Sequence, residues 1–353
     1  MEPADGRSPD AVDRLDVLIV SLGSTQGLRT ADEELRDSLE RAGARAAIAR
    51  AIPPRPTRTL MLTDLAWARA ARGAAIAALA EQRSPPRAMI YSSTTAALLW
   101  PRPGAIRFDA PSAGNRLGRN GLWQRPLERR RLKQARLLLP WSEGGLQEAP
   151  AAARRGDRAL VLAVPVEVSG PSAPVRDIAA ITYAANPAKK GFDRVLAAWR
   201  GVRGELGGVA GELVVAGAGA SELEQIGLRA GEEGVRVVGA LPQAEYRALL
   251  RRARVFVCAP RREDYGVAQL EALADGCLLV SAPAPGPYAA LPIARMLDPR
   301  LVRDDLQAAL RIGLSDPQDG YASRALEALE PLKREALDRV VYAELLPRLL
   351  DHD

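Results

Sequence analysis

Histidine is almost missing from this chain: its 353 residues include one, His352. Imidazole is the side chain that titrates nearest neutrality and the commonest nitrogen ligand for zinc. A histidine base and a histidine-built metal site are therefore excluded unless the last residues fold back into the site. Cysteine adds little. Cys258 and Cys277 both lie in apolar, strand-like runs, where buried reduced thiols are expected rather than a disulfide or a metal site. No run of eighteen apolar residues is present to span a bilayer, and the opening MEPADGRSPDAVDR lacks the apolar centre of a signal peptide. The expectation is a cytoplasmic protein without a bound metal or cofactor. Lysine is scarce too, with Lys133, Lys189, Lys190 and Lys333 alone among 49 basic residues. Arginine is the ordinary cation here, so the adjacent pair Lys189-Lys190 calls for a reason.

What is present is a globular composition, 47% hydrophobic and 26% charged, long enough for two domains that each bury a core. The net charge of +6 is spread along the chain with no nucleic-acid motif, so no nucleic-acid partner is expected. Short aliphatic runs alternate with helical spacing, the pattern of α/β domains with parallel sheets. A leader over 1–14 is expected to be disordered, and LDVLIVSL (Leu15–Leu22) reads as a buried parallel strand. Gly23 and Ser24 open a glycine-rich turn into the next helix. Such a turn either brings backbone N–H groups to a phosphate or only packs strand against helix. Asp109 ends another strand; it either organises the following turn or orients an acceptor hydroxyl as a base. RPLERRRLKQAR (Arg125–Arg136) is a basic helix, either a solvated face with Glu128 partly compensating or a patch for an anionic acceptor or phospholipid headgroups. PVEVSGPSAPVRD, with three prolines and no periodicity, reads as a linker over 166–177 between a first domain (15–165) and a second (178–333).

The stretch ARVFVCAPRREDYGVAQLEALADGCLLVS, from Ala253 to Ser281, is a βαβ unit with two carboxylates in it. Glu263 falls in the loop and Glu271 about one turn into the helix, so they flank a helix N-terminus able to seat a phosphate. Carboxylates accept hydrogen bonds from sugar hydroxyls; the ligand these residues suggest is a sugar joined to a phosphate.

In that block Glu263, Tyr265, Gly266, Glu271, Ala272 and Gly276 fall in the places of a known signature. It resembles that of GT-B nucleotide-sugar glycosyltransferases, most closely the retaining family 4 type. The resemblance continues at Lys190-Gly191, where that family has a Lys-Gly whose lysine contacts the donor diphosphate. It implies a GT-B fold of two Rossmann-like domains facing an interdomain cleft, with a last helix, about 334–353, returning to the first domain. By the same resemblance Glu271 holds the ribose, Glu263 and Lys190 act on the donor sugar and the leaving diphosphate, and Val267 and Ala268 meet the phosphate. Gly239, Ala240 and Leu241 lie beside the base, Gly23 and Ser24 face the cleft, and Lys189, Asn186 or an arginine from elsewhere substitutes for one phosphate-binding arginine of the pattern. Transfer would retain configuration without a metal. Two positions depart from the pattern: Ala185 stands where an arginine is usual, and Asp109 at about the place of a cleft histidine. Those departures keep open a nucleotide-sugar-binding partner without catalysis, and a sugar-nucleotide epimerase remains an alternative enzyme. The base, sugar and acceptor are not specified by these residues.

Overall fold

The computed structural model describes residues 14–55, 57–154, 156–171, 173, 175–207 and 211–350. The leader up to residue 13 and His352 lie outside them. Contacts divide the chain into two units, one ending at Pro165 and resumed from Arg334, the other Val166–Lys333.

The first unit alternates β1 (Val17–Ser21), α1 (Gln26–Arg41), β2 (Ala46–Arg50), α2 (Leu60–Glu81), β3 (Ala88–Tyr91), α3 (Thr94–Ala97), β4 (Ala105–Phe108), α4 (Gln124–Gln134), β5 (Leu138–Pro140) and α5 (Glu143–Glu148). Its sheet is parallel, in the order β2-β1-β3-β4-β5. Parallel strands covered by helices on both faces are apolar throughout, and every residue of β1, β3, β4 and β5 is buried. Thr25, Thr59, Ser93 and Ser142 start their helices by accepting a backbone N–H three residues on. Beside β5, Leu160 and Leu162 donate their N–H groups to the carbonyls of Leu138 (2.9 Å) and Pro140 (2.8 Å).

Glu128 does not sit on the solvated face of α4. It is 2% exposed, and its carboxylate accepts the N–H of Ser112 at 3.0 and 3.1 Å. Its place on the inner face, in line with buried Leu132 one turn on, explains the difference.

The second unit runs β6 (Ile178–Tyr183), α6 (Pro187–Lys190), α7 (Phe192–Leu206), β7 (Leu213–Ala216), α8 (Ala220–Glu224), β8 (Val235–Gly239), α9 (Gln243–Arg252), β9 (Ala253–Cys258), α10 (Val267–Ala274), β10 (Leu278–Ser281), α11 (Ala290–Leu297), α12 (Leu306–Ser315) and α13 (Tyr321–Ala328). Its parallel sheet has the order β10-β9-β6-β7-β8. The chain leaves β6 toward β7 on one side and returns to β9 on the other, which makes the carboxyl ends of β6 and β9 the topological switch point where α/β sheets place ligands.

The segment read as a linker is fastened to this second unit. Val166 donates to the Leu332 carbonyl at 2.8 Å, Ser169 bonds Asp275 through N–H and hydroxyl at 3.0 Å each, and Arg176 donates to the Asp275 carbonyl at 2.8 Å. Proline content signals an irregular path, and here that path is held by side-chain partners distant in sequence.

From Arg334 the chain rejoins the first unit as α14 (Arg334–Val340), a π-helical turn (Val341–Leu345) and α15 (Leu346–Leu350). Leu337, Val341, Leu345 and Leu349 enter the cluster of Val17, Ile19, Leu35 and Leu39. A four-residue spacing drifts by about 40° per step around an α-helix, and the wider π turn reduces that drift. Asp338 takes Arg41 at 2.7 Å, and Arg334 takes Glu34 at 2.8 Å. Leu345 is fully buried, so Leu345→Ala should destabilise the first unit by about 2–5 kcal/mol. Denaturant unfolding followed by hydrogen exchange should find the loss in the amides of β1 and α1, with those of β6 and β9 unchanged.

Candidate functional site

The site is assembled where the loops after β6 and β9 leave adjacent strands on the same edge of the sheet. Asn186 adopts a left-handed conformation (φ 58°), and its side chain accepts the Lys189 N–H, so it serves as the cap of α6. Gly191 (φ 63°) separates α6 from α7, and a Cβ there would lie 1.9 Å from the Ala259 carbonyl oxygen. Only glycine allows that approach. Arg261 N–H donates to the Lys189 carbonyl at 3.0 Å and completes the seam.

Joined in this way, the loops place Lys190 Nζ 2.6 Å from Glu263 Oε2. Gln269 Nε2 donates to the same oxygen at 3.0 Å. Glu263 is 6% exposed, a buried carboxylate stabilised by a cation and an amide. Beside it Asp264 is bracketed by Lys189 Nζ (3.0 Å) and Arg262 Nε (2.9 Å). Gly266 (φ 92°) then turns the chain into α10, whose first N–H groups, at Val267 and Ala268, have no acceptor within the helix. A lysine charge and a helix N-terminus thus converge on one spot, the arrangement that holds an anion.

Glu271 lies in α10, beyond the first turn. Gln243 and Arg247 are one turn apart on α9, Glu271 and Asp275 one turn apart on α10, and the two pairs face each other. Gln243 Nε2 donates to Glu271 Oε1 at 3.1 Å; Arg247 lies 3.5 Å from the same oxygen and 2.6 Å from Asp275 Oδ2. Burial pushes the Glu271 pKa above the ordinary carboxylate value, with Arg247 and the Gln243 bond opposing. Tyr183 and Tyr246 meet alongside, ring centroids 5.3 Å apart. Burial raises both hydroxyls, and the Glu271 charge adds to it.

Lys190, Asn186, Glu263, Tyr265, Gly266, Val267, Ala268 and Glu271 therefore fall in one region. Tyr265 is 3% exposed, so its ring packs the loop and its carbonyl accepts the Ala289 N–H at 2.9 Å. Gly239 (φ 71°) ends β8, its carbonyl accepting the Gly217 N–H at 2.7 Å, and half-buried Leu241 follows. Gly23, Ser24 and Asp109 belong to the first unit. Gly23 (φ 57°) is buried and its carbonyl accepts Arg29; Ser24 is exposed; Asp109 Oδ1 accepts the Ala110 N–H at 2.7 Å and so shapes its turn. Gln243, Arg247, Gln269 and Asp275 escape sequence reading. For Gln243, Arg247 and Asp275 the signal is the four-residue spacing 243/247 in α9 and 271/275 along α10 to the residue that caps it; for Gln269 there is none. Among the described residues no group of three or more His, Cys, Asp or Glu is placed to hold a metal.

Removing Arg247 leaves two buried carboxylates without their cation. Arg247→Met should destabilise the second unit by about 3–5 kcal/mol at neutral pH. The penalty should shrink on acidification. Arg247 is what holds the Glu271 pKa down against burial, so its loss raises that pKa further, and protonation then removes the uncompensated charge. Urea unfolding of both proteins between neutral and acidic pH measures the difference.

Residues 177–310 match the family model described as glycosyl transferases group 1. No curated protein matches the chain. Among solved structures the chain is similar to WaaG, a glycosyltransferase involved in lipopolysaccharide biosynthesis (TM-score 0.68, 14% identity, 93% of this chain and 100% of that one). It is similar to sucrose-phosphate synthase from Thermosynechococcus elongatus (0.67, 14%, 96% and 100%). It is also similar to Anabaena HepE, solved with UDP and glucose (0.66, 13%, 94% and 99%). At these identities the likeness establishes the fold, and the family match lies within the second unit. The chain has the GT-B fold, and residues 177–310 match the glycosyl transferases group 1 family.

Proposed function

We propose that this protein transfers a sugar from a nucleoside-diphosphate sugar to an acceptor, with retention of configuration and without a metal, in the manner of the family 4 enzymes. The observation that carries the reading is the junction of Lys190, Glu263 and the α10 N-terminus at the switch point. The diphosphate sits on the first N–H groups of α10, and Lys190 swings from Glu263 to its oxygens. As the glycosidic bond breaks, negative charge grows on the leaving phosphate, and a fixed ammonium and helix terminus in a partly dry site stabilise it. Glu263, released from Lys190 and still oriented by Gln269, accepts hydrogen bonds from the donor sugar. Glu271 accepts the ribose hydroxyls, with Gly239 and Leu241 beside the base. The leaving phosphate takes the acceptor proton, so that no histidine is needed. Lys189 and Arg262, on either side of Asp264, are the cations nearest to hand for the second phosphate contact that Ala185 does not provide. The acceptor falls to the first unit, where Asp109 is the base in an inverting variant of the reaction.

A membrane-bound anionic acceptor is supported by one surface. Arg129, Arg130, Lys133 and Arg136 are exposed on and just after α4, and the preceding segment exposes Leu117 (71%) and Leu122 (67%). Cations with adjacent apolar side chains suit the headgroup region of an anionic bilayer. No helix among the described residues is long and apolar enough to cross a membrane, and the contact proposed is peripheral, at a cytoplasmic face.

Three measurements test this. In calorimetry with UDP, GDP, ADP and their sugars, one family should bind the wild type; Glu271→Gln should weaken that binding about tenfold or more. Because the Glu271 pKa is raised and its ionised form is the acceptor, wild-type affinity should fall with acidification from a pH above the ordinary carboxylate range, relative to Glu271→Gln. Lys190→Ala should lower turnover at least about a hundredfold with a smaller change in donor affinity. Binding without transfer or donor hydrolysis in any acceptor extract would favour a non-catalytic binding partner. Sedimentation with phosphatidylglycerol vesicles, against neutral phosphatidylcholine, should capture wild type and lose Arg129→Glu/Arg130→Glu.

A further inference from the structure

We infer that Tyr288 positions both Glu263 and the Gly266 turn, acting as the clamp that sets the donor-binding loop; what those groups bind rests on the nucleotide-sugar reading above. Tyr288 stands in the proline-rich run between β10 and α11. Its backbone reaches the loop directly: Tyr288 N–H donates to the Glu263 carbonyl at 3.3 Å, and the next N–H, Ala289, to the Tyr265 carbonyl at 2.9 Å. In return Glu263 N–H donates to Pro285 at 3.1 Å. Gly286 makes the approach possible, since a Cβ there would lie 2.3 Å from the Glu263 carbonyl oxygen.

The Tyr288 ring touches the second positioned group. A Cβ on Gly266 would lie 3.0 Å from Tyr288 Cε2, so the ring lies against the glycine that starts α10. What holds the ring is its hydroxyl, which ties it to the sheet: it lies 3.0 Å from Ser281 Oγ at the end of β10 and 3.3 Å from Cys258 Sγ at the end of β9. Tyr288 is 2% exposed, Cys258 6% and Ser281 0%. A buried hydroxyl with two sheet-borne partners is a fixed point. The path from the two strand ends through one ring to the Glu263 carbonyl and the Gly266 turn is continuous, and no residue on it meets the substrate except at its far end. Tyr288 is accordingly a positioning residue.

Tyr288→Phe keeps the ring and removes the fixed point; Ser281→Ala removes one partner and leaves the tyrosine in place. Each variant, and the double variant, is titrated by calorimetry with UDP, GDP and ADP and the matching monophosphates. The quantity of interest is the preference for diphosphate over monophosphate, which a general loss of packing does not alter. Tyr288→Phe should reduce that preference about tenfold while monophosphate affinity stays within about twofold. Ser281→Ala should move in the same direction, and the double variant should be no worse than Tyr288→Phe, because both act through one contact. An unchanged preference in Tyr288→Phe and Ser281→Ala, or an equal loss for both ligands, overturns the inference. Wild-type protein that binds none of the six nucleotides overturns the nucleotide-sugar reading instead. If Tyr288→Phe fails to fold, Ser281→Ala decides the matter alone.

Discussion

The junction of Lys190 with Glu263 depends on how closely two loops can pass. β6 and β9 are neighbours because the chain reverses its direction of travel across the sheet, and loops leaving neighbouring strands are about 5 Å apart before any side chain is added. At Gly191 even a methyl group would meet the Ala259 carbonyl. That missing side chain lets Lys190 and Glu263, more than seventy positions apart, share a hydrogen bond. Helix α6, Asn186 and the Arg261–Lys189 bond preserve an approach that glycine makes possible.

Charge is distributed in this protein by the same economy of position. Opposite charges meet at buried positions where Asp32 faces Arg107, where Glu271 and Asp275 face Arg247, and where Glu263 faces the partly exposed Lys190. Buried pairs add little net stability compared with apolar packing. In the first unit Arg107 lies over Trp141 and donates to the Ala31 carbonyl, joining β4 to α1. Asp275 likewise gathers Arg247 and Ser169 into one structural joint. The Lys190–Glu263 pair is different. Lys190 keeps about a fifth of its side chain in solvent and reaches its partner on a flexible stem. Its ammonium is the least confined of these three cations.

Much of this was legible in the sequence because it rests on local rules. Apolar runs marked the strands, Glu263 and Glu271 were singled out by their places around one helix start, and Gly266 by a family pattern. Lys190 was found because lysine is rare here and because a family pattern singles it out. Residues that act across elements were harder to see. Gln269 and Gln243 look like surface amides until the fold supplies Glu263 and Glu271 as their partners. Glu128 sits among arginines in the sequence yet turns away from them, since its helix face is set by buried Leu132 and the Ser112 loop. The proline-rich stretch before β6 suggested a free connector, because composition reports stiffness and says nothing of what the segment rests on.

The first unit has a further property that follows from its final helices. Leu337, Val341, Leu345 and Leu349 pack with the first strand of the chain, while the whole second unit is encoded between them. As the polypeptide emerges from a ribosome, the second unit is complete when Lys333 appears. The half before it must wait, with one side of its core uncovered, for the last few turns to be made. Synthesis order and stability are thereby uncoupled: the later-encoded unit can be first to finish folding, and premature termination near the end leaves an intact second unit joined to an unfinished first one.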